Sequence, residues 1–228
     1  MAQDPYLYPG TQTLINSLNI KNTKQLAELE KKVVSKRYIQ PAPKGKFDLD
    51  HLKQIHKHLF GDIYPWAGSV RSIDISKGST LFAMPHRIEP ELSKLFKRLN
   101  QENLHELNRG DLSHKLSEYF NEINAAHPFR EGNGRANRLF ITSLAKQYGY
   151  NIQWRNMSKQ AYIQASIAGT HHVNYKPMER LISQNLVPGT SKITADLEQN
   201  HFASKAYDKV SPQATHLEKY KTKFRHKR

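Results

Sequence analysis

The sequence predicts an all-α domain with one small β-hairpin, and two patterns support this fold class. From residue 22 to residue 186, apolar residues recur three and four positions apart in successive segments, which is the spacing of amphipathic helices. Residues 70–75 instead alternate apolar and polar side chains, a turn signal follows at 76–79, and 80–84 can return as a second strand. Because a lone hairpin is only marginally stable, we expect it to form an exposed, flexible edge.

The predicted helix boundaries rest on capping residues and on glycine stops. Asn22, Asp48 and Ser158 suit N-caps because their side chains accept hydrogen bonds from the first free N–H groups of a helix. Gly61 and Gly149 suit helix ends. The predicted helix starts are, in chain order, Asn22 or Thr23, Asp48, Glu89, Asp111 or Ser113, Asn133 or Gly134, Ser158 and Pro177. The helix that starts at Glu89 is expected to end near His105, and residues 1–21 to form an extended arm laid on the domain.

The charge and composition narrow the function classes. The formal net charge is +15, which predicts an acidic partner such as nucleic acid, nucleotide phosphates, an acidic protein surface or anionic lipid. The absence of cysteine excludes disulfides and thiolate chemistry. No run of apolar residues is long enough for a membrane span, and the first residues lack the basic and apolar regions of a Sec signal.

Domain organisation follows from where the apolar periodicity fades. We expect one folded domain over residues 1–189. Residues 190–228 are predicted to form a C-terminal helix or linker that ends in a basic tail, since Lys and Arg dominate its last ten positions. A basic tail of this kind resembles type IV secretion signals.

Twelve consecutive residues combine the parts of a polyphosphate site. They read His127-Pro128-Phe129-Arg130-Glu131-Gly132-Asn133-Gly134-Arg135-Ala136-Asn137-Arg138. The two glycines let backbone N–H groups turn toward a ligand, and the start of the following helix adds the positive end of its dipole, so together they make an anion-binding nest. Arg135 and Arg138 lie three positions apart and share a helix face, where they can hold successive phosphates.

Two further residues of this stretch suggest group transfer. Glu131 is an oxygen ligand beside an anion site, which suits Mg²⁺ because this ion binds one or two carboxylates together with phosphate oxygens. A neutral imidazole at His127 can take the proton from a hydroxyl that attacks phosphorus. Alone, such a histidine is more often a packed residue and such arginines a solvated face. Their conjunction favours transfer of a phosphorus-containing group.

The same stretch resembles the Fic signature, HxFx[D/E]GNGRxxR, and matches it at every fixed position. The resemblance covers residues 5–186. Residues 59–68 resemble the segment that leads into the Fic flap, and Tyr8-Pro9-Gly10-Thr11 is similar to the Fic domains of VirB-translocated Bartonella effectors and conjugation-associated toxins. The resemblance therefore implies a Fic-type helical bundle in which the predicted hairpin is the flap.

The resemblance also implies a reaction: AMP passes from ATP, with Mg²⁺ as cofactor, to a Ser, Thr or Tyr hydroxyl of a target protein. Carried over by position, it makes His127 the general base and Glu131 the metal ligand. It assigns phosphate binding to Gly132, Asn133, Gly134, Arg135 (β-phosphate) and Arg138 (γ-phosphate). It assigns target docking by strand addition to the flap residues Ile73, Ile75, Ser76, Lys77, Gly78, Ser79, Thr80 and Leu81. Contacts to adenine are expected in residues 169–175.

Gly134 bears on which group is transferred. In the Doc-like kinase branch of the family, the corresponding position is lysine and the nucleotide lies reversed, so glycine favours AMP transfer over phosphorylation. Phosphocholine or phosphoryl transfer on the same motif stays open as an alternative. So does a basic nucleic-acid-binding module, which the charge favours although no helix–turn–helix or RRM signature is present.

Regulation, target and location are expectations from the family. Its inhibitory pattern [S/T]xxxE[G/N] is matched only over residues 194–199, where Gln199 stands at the last position. We therefore expect a separate small antitoxin-like inhibitor and keep inhibition in cis by Glu198 as a second hypothesis. The expected targets are small GTPases or topoisomerases. The expected location is the bacterial cytoplasm, with translocation into a host or recipient cell by type IV secretion, and nucleic acid is not an expected partner.

Overall fold

A computed structural model describes residues 4–77 and 80–189 of the chain. Within these ranges the elements are α1 (Thr23–Tyr38), α2 (Leu49–Phe60), β1 (Ser76–Lys77), β2 (Thr80–Leu81), α3 (Pro85–Gln101), α4 (Arg109–Ala126), α5 (Asn133–Gln147), β3 (Tyr150–Ile152), α6 (Lys159–His172), α7 (Lys176–Asn185) and β4 (Leu186–Pro188). The predicted fold class is confirmed, because seven helices and two small strand pairs make up this described part. No helix among these residues is both long and apolar enough to cross a membrane.

Helix α4 lies at the centre of the bundle. It packs against α3, α5, α6 and α7, while α2 packs on α5 from the other side. Its large side chains Leu116, Tyr119 and Phe120 are fully buried. Because α4 ends where the twelve-residue motif begins and α5 starts within it, the motif connects two helices that the core holds firmly.

Three predicted N-caps are confirmed. The side chains of Asn22, Asp48 and Ser158 each accept a hydrogen bond from the backbone N–H three residues later. The predicted start of α4 was wrong by a few residues, because Asn108 takes the cap and accepts from two backbone N–H groups. Helix α3 also begins earlier than predicted, at Pro85, since proline suits a first turn whose N–H groups have no helical partner.

The strand predicted over residues 70–75 was wrong. Only Ser76 and Lys77 form β1, and they pair antiparallel with Leu81 and Thr80 of β2. The preceding residues use their hydrogen-bonding groups elsewhere: the backbone N–H of Arg71 donates to the carbonyl of Pro128 at 2.9 Å. The second predicted strand also ends early: the N–H of Phe82 still donates to the carbonyl of Ile75 at 3.4 Å, but that of Ala83 donates to Ala125 at the end of α4.

A second strand pair was not predicted. Strand β3 follows α5 and pairs antiparallel with β4, which follows α7, so the two helix ends are joined. Each strand has only three residues, too few for an alternating pattern to be recognised in the sequence. The expected helix or linker with a basic tail, and with it Glu198, lies outside the described residues.

The N-terminal arm packs on the domain near the motif. The ring of Tyr6 meets Trp66 edge to face, with centroids 5.6 Å apart. The carboxylate of Asp4 accepts hydrogen bonds from the guanidinium of Arg130, at 2.8 and 3.1 Å. The arm therefore contacts a residue of the motif itself.

Candidate active site

His127 sits just past the end of α4 in a left-handed conformation, with φ of 46°. Its backbone N–H donates to the carbonyl of Ile123 at 3.1 Å, which ends the helix. Its Nδ1 lies 3.0 Å from the carbonyl oxygen of Asn124. Because a carbonyl only accepts hydrogen bonds, Nδ1 must carry the proton. In the neutral ring, Nε2 is therefore unprotonated and able to accept a proton.

The surroundings of His127 keep the imidazole neutral. Burial lowers the pKa of His127 to about 4, and the positive charges of Arg71 and Lys77 act in the same direction. The hydrogen bond to the Asn124 carbonyl and the charge of Glu131 oppose them. The ring of Phe82 stacks on the imidazole with centroids 3.7 Å apart. At neutral pH this residue is thus available as a base.

The side chain of Asn133 closes the loop after His127. Its Oδ1 accepts from the backbone N–H of Phe129 at 2.8 Å, and its Nδ2 donates to the carbonyl of the same residue at 2.6 Å. Only 6% of Asn133 is exposed. The side chain is thus fully used in shaping the loop, which leaves the backbone N–H as the group that Asn133 can offer a ligand.

Gly132 is required by the backbone and by the packing. Its φ of +80° favours glycine, and a Cβ here would lie 2.3 Å from a ring carbon of Phe60. The neighbouring carbonyl of Glu131 lies 2.9 Å from Nε2 of the buried His56, whose Nδ1 accepts from the backbone N–H of Gly68. Since Nδ1 accepts, Nε2 carries the proton and donates to that carbonyl, which fixes the peptide before Gly132.

The start of α5 offers free hydrogen-bond donors. Among residues 4–77 and 80–189, no acceptor is found for the backbone N–H groups of Asn133 and Gly134. The N–H groups of Arg135 and Ala136 both turn back to the carbonyl of Gly132. Free N–H groups at a helix N-terminus attract anions, because the helix dipole points its positive end there.

Arg135 is held by carboxylates. Its guanidinium donates to Glu30 of α1 at 2.7 Å and to Glu131 at 3.3 Å, and it lies over the ring of Phe60. The other oxygen of Glu30 accepts a hydrogen bond from the hydroxyl of Tyr64. Glu131 also accepts from the backbone N–H of Gly132 at 2.8 Å, while its side chain is 45% exposed.

Arg138 has a different setting. Its guanidinium lies 5.2 Å from the ring centroid of Tyr162, and burial raises the pKa of that phenol and, to about 12, the pKa of the nearby Tyr38. Both phenols are therefore neutral at physiological pH. In the described part of the chain, Arg138 forms no salt bridge. Within these residues, no carboxylate neutralises its charge.

The flap residues form a short hairpin beside His127. Ser76, Lys77 and Leu81 are exposed, with Leu81 at 66%, whereas Thr80 is buried. The hydroxyl of Thr80 lies 2.6 Å from Nε2 of His171 in α6, so the hairpin is tied to that helix. Ile73 and Ile75 are partly buried at the approach to β1, and Gly78 and Ser79 lie outside the described residues.

Sequence reasoning missed several residues that shape this site. Arg71, Phe82, Glu30 and His56 come from four separate segments, and only the packed chain brings them to the motif. The stretch 169–175, where contacts to adenine were expected, is partly engaged within the protein: besides the His171 bond, Thr170 accepts from Asn124 and Tyr175 donates to Glu122. No cluster of three or more His, Cys, Asp or Glu side chains able to hold a metal exists among the described residues.

Known proteins resemble this chain in sequence. The sequence profile of the Fic/DOC family matches residues 46–145. The chain is 39% identical to protein adenylyltransferase VbhT of Bartonella schoenbuchensis over 87% of its own length, but it spans only 42% of the length of that relative. It is 36% identical to the probable protein adenylyltransferase y4lH of Sinorhizobium fredii, and this match covers 73% of the chain and 88% of y4lH.

A solved structure supports the same placement. The fold is similar to that of BepC, a VirB-translocated effector protein of Bartonella tribocorum whose crystal structure holds AMPPNP. The TM-score is 0.74 at 31% identity, and the match covers 81% of this chain and 97% of that one. Together with the matched motif and the coverage of y4lH, this likeness establishes the family. The chain belongs to the Fic/DOC family.

Proposed function

We propose that this protein is a protein adenylyltransferase that moves AMP from ATP to a Ser, Thr or Tyr hydroxyl of a target protein. The carrying observation is that an imidazole with an unprotonated Nε2 and two free helix N–H groups belong to one short connection between α4 and α5. The naming of VbhT and the AMPPNP held by the BepC structure support this choice of donor.

His127 performs the proton transfer in this proposal. The target hydroxyl oxygen attacks the α-phosphorus, the bond from that phosphorus to the pyrophosphate oxygen breaks, and the hydroxyl proton passes to Nε2. The hydrogen bond of Nδ1 to the Asn124 carbonyl keeps this nitrogen free and aims it. A pKa of about 4 would make a weak base, but bound phosphates bring negative charge beside the ring, which raises the pKa toward the working pH.

The start of α5 binds the phosphates. The N–H groups of Asn133 and Gly134 face the bridging region between the α- and β-phosphates, where negative charge grows as pyrophosphate leaves. Arg135 serves the β-phosphate and stays oriented by Glu30. Arg138, which no described carboxylate neutralises, takes the γ-phosphate.

Glu131 is the residue that would hold Mg²⁺. The donor set fits: Mg²⁺ takes one or two carboxylates and completes its shell with phosphate oxygens and water, and Glu131 is a half-exposed carboxylate beside the phosphate-binding N–H groups. When bound, the ion offsets the charge of the polyphosphate. To hold the ion, Glu131 would have to give up its 3.3 Å contact with Arg135, and a guanidinium N–H would then become available to the phosphate.

The flap is the proposed docking site for the target, through residues Ile73, Ile75, Ser76, Lys77, Gly78, Ser79, Thr80 and Leu81. An extended target segment adds to the exposed hairpin edge by backbone hydrogen bonds and packs on Leu81. We further propose a small GTPase or a topoisomerase as target, a separate antitoxin-like inhibitor acting at Arg138, and delivery by type IV secretion from the bacterial cytoplasm. The VirB translocation of BepC supports the last of these.

Radiolabelling tests the proposal. The purified protein is incubated with a cell lysate and Mg²⁺, and with α-labelled ATP, γ-labelled ATP or labelled CDP-choline in parallel. Protein-bound label from α-labelled ATP alone, lost in His127→Ala, is the expected result. Label from γ-labelled ATP would indicate phosphorylation, and label from CDP-choline would indicate phosphocholine transfer. Tight DNA binding without any labelled protein would contradict the enzyme proposal. Mass spectrometry of the labelled band identifies the target.

A further inference from the structure

Arg71 is a buried cation near the catalytic centre. Only 2% of the residue is exposed, and it forms no salt bridge within residues 4–77 and 80–189. Burial lowers the pKa of its guanidinium below the ordinary value. The charge of Asp74 acts against this effect, but Asp74 forms no salt bridge with Arg71. Moving a charge out of water without a salt bridge is costly, so the surroundings must supply several good hydrogen-bond acceptors.

Four carbonyl oxygens accept from the Arg71 guanidinium. Two belong to the end of α4: His127, at 2.8 Å from Nε, and Ala126, at 3.3 Å. The other two belong to the base of the flap: Ile73, at 2.5 Å, before β1, and Ala83 after β2. A single side chain thus joins both ends of the flap to the carbonyl of the proposed base.

Arg71 donates hydrogen bonds to carbonyl groups at the end of α4 that have no donor within the helix. His127 adopts a left-handed conformation, and the last carbonyls of a helix lack helical partners and carry the negative end of the dipole. A cation placed there satisfies both carbonyls. Arginine suits the position better than lysine, because its planar guanidinium directs five N–H groups outward at once.

We propose that Arg71 is a positioning residue that couples the flap to His127, so that docking of the target hydroxyl and placement of the base are set together. This inference rests on the proposed adenylyl transfer. It predicts that Arg71 governs the transfer step, while nucleotide binding at the start of α5 is independent of it. The flap backbone adds to the connection, since the N–H of Ala83 donates to Ala125 at 3.2 Å.

Arg71→Met and Arg71→Lys test the inference. In Arg71→Met we expect kcat for target adenylylation to fall by about 100-fold, because a small displacement of base and hydroxyl costs about that factor. Arg71→Lys keeps the charge and some of the hydrogen bonds, and should recover about tenfold of the loss. ATP affinity, measured by titration calorimetry on each variant, should stay within about threefold of wild type.

The pH profile separates this role from a general loss of packing. The charged groups that act on His127 are Arg71, Lys77 and Glu131. Removing the Arg71 charge raises the pKa of His127, so the acid limb of kcat/KM should move to higher pH in Arg71→Met and stay in place in Arg71→Lys.

Arg109→Met is the matched control. Arg109 also donates to two backbone carbonyls, those of Leu186 at 3.0 Å and Ser183 at 2.6 Å, but at the far end of α4. The Arg109→Met substitution should leave kcat for target adenylylation unchanged. Wild-type kcat in folded Arg71→Met, or an equal loss in the control, would overturn the inference. If Arg71→Met fails to fold, wild-type kcat in Arg71→Lys would overturn it, because the lysine cannot make all four hydrogen bonds. Absence of labelling in the wild-type protein would instead refute the adenylyl transfer itself.

Discussion

Arg135 and Arg138 lie one helical turn apart on α5, yet their surroundings are opposite. Arg135 is held by two carboxylates and stacked over Phe60, whereas Arg138 has a neutral phenol beside it and no acidic partner among the described residues. The Arg135 side of the site is therefore completed by the protein itself. The Arg138 side is left for an anionic ligand to complete, and this difference predicts how each side responds to substitution.

The largest expected effect is on folding stability, and it distinguishes Gly132, which packs on Phe60, from Gly134, which lies near Tyr162. Gly132→Ala forces a Cβ into the ring of Phe60 at positive φ, so we expect it to lower the free energy of unfolding by about 2–5 kcal/mol. Gly134→Ala is the control, because its Cβ would meet only the Tyr162 hydroxyl at 3.6 Å. Urea unfolding measures both. Equal stability of the two variants would contradict the view that the Arg135 side is tightly packed and the Arg138 side is not.

Arg138→Gln should weaken ATP binding without weakening the fold. A hydrogen bond to a charged group contributes about 1.5–3 kcal/mol, so the Kd for ATP should rise by about 10- to 150-fold. Because Arg138 forms no salt bridge in the described part of the chain, the thermal unfolding midpoint of the Arg138→Gln variant should stay close to that of wild type. Calorimetric titration and a thermal melt check this pair of results. Loss of stability with unchanged Kd would show that the phenols, and not a ligand, are the partners of Arg138.

Glu30→Gln should show the reverse pattern. It removes the ion pair to Arg135 in a site where the Glu30 side chain is only 14% exposed, so we expect a loss of about 1–2 kcal/mol in the free energy of unfolding. ATP affinity should not fall, since the amide oxygen introduced at position 30 can still accept from Arg135 and orient it, while a negative charge near the phosphates is removed. Asp62→Asn breaks a more exposed pair with Arg37 and should cost less stability. A larger loss in Asp62→Asn would contradict the structural role of Glu30.

The smallest expected effect is on pH dependence. With a pKa of about 4, His127 is neutral above that pH, and at pH 5 about nine-tenths of the rings are unprotonated. An ordinary histidine would be almost entirely protonated there. We therefore expect kcat/KM for ATP, which reports the ring in the free enzyme before phosphate binds, to change by less than about twofold between pH 5 and 8, after correction for the ionisation of ATP. A steep fall of kcat/KM below pH 6.5 would mean that burial does not set the pKa of His127.

The motif was predictable from the sequence because its parts are contiguous. His127, Glu131 and Gly134 lie within one stretch, and the roles proposed for them rest on residue type, order and the resemblance to the family signature. The neighbours that tune them come from distant segments: Glu30 lies 105 positions before Arg135. Arg71 was placed in an alternating strand, and the sequence assigned it no role. The structure buries it instead, because carbonyls at the end of α4 need donors, a need that no local pattern records.

The amide of Asn133 has a consequence for the chemical lifetime of the site. An asparagine followed by glycine is prone to deamidation, because the glycine nitrogen meets little hindrance when it attacks the side-chain carbonyl. Here both polar atoms of the Asn133 amide form hydrogen bonds with the backbone of Phe129, and the Asn133–Gly134 peptide lies in the first turn of α5. Conversion to aspartate would set a carboxylate oxygen against the Phe129 carbonyl. The fold that shapes the loop thus also protects Asn133 from deamidation. In an unfolded chain, this Asn-Gly pair would be exposed to that slow and irreversible reaction.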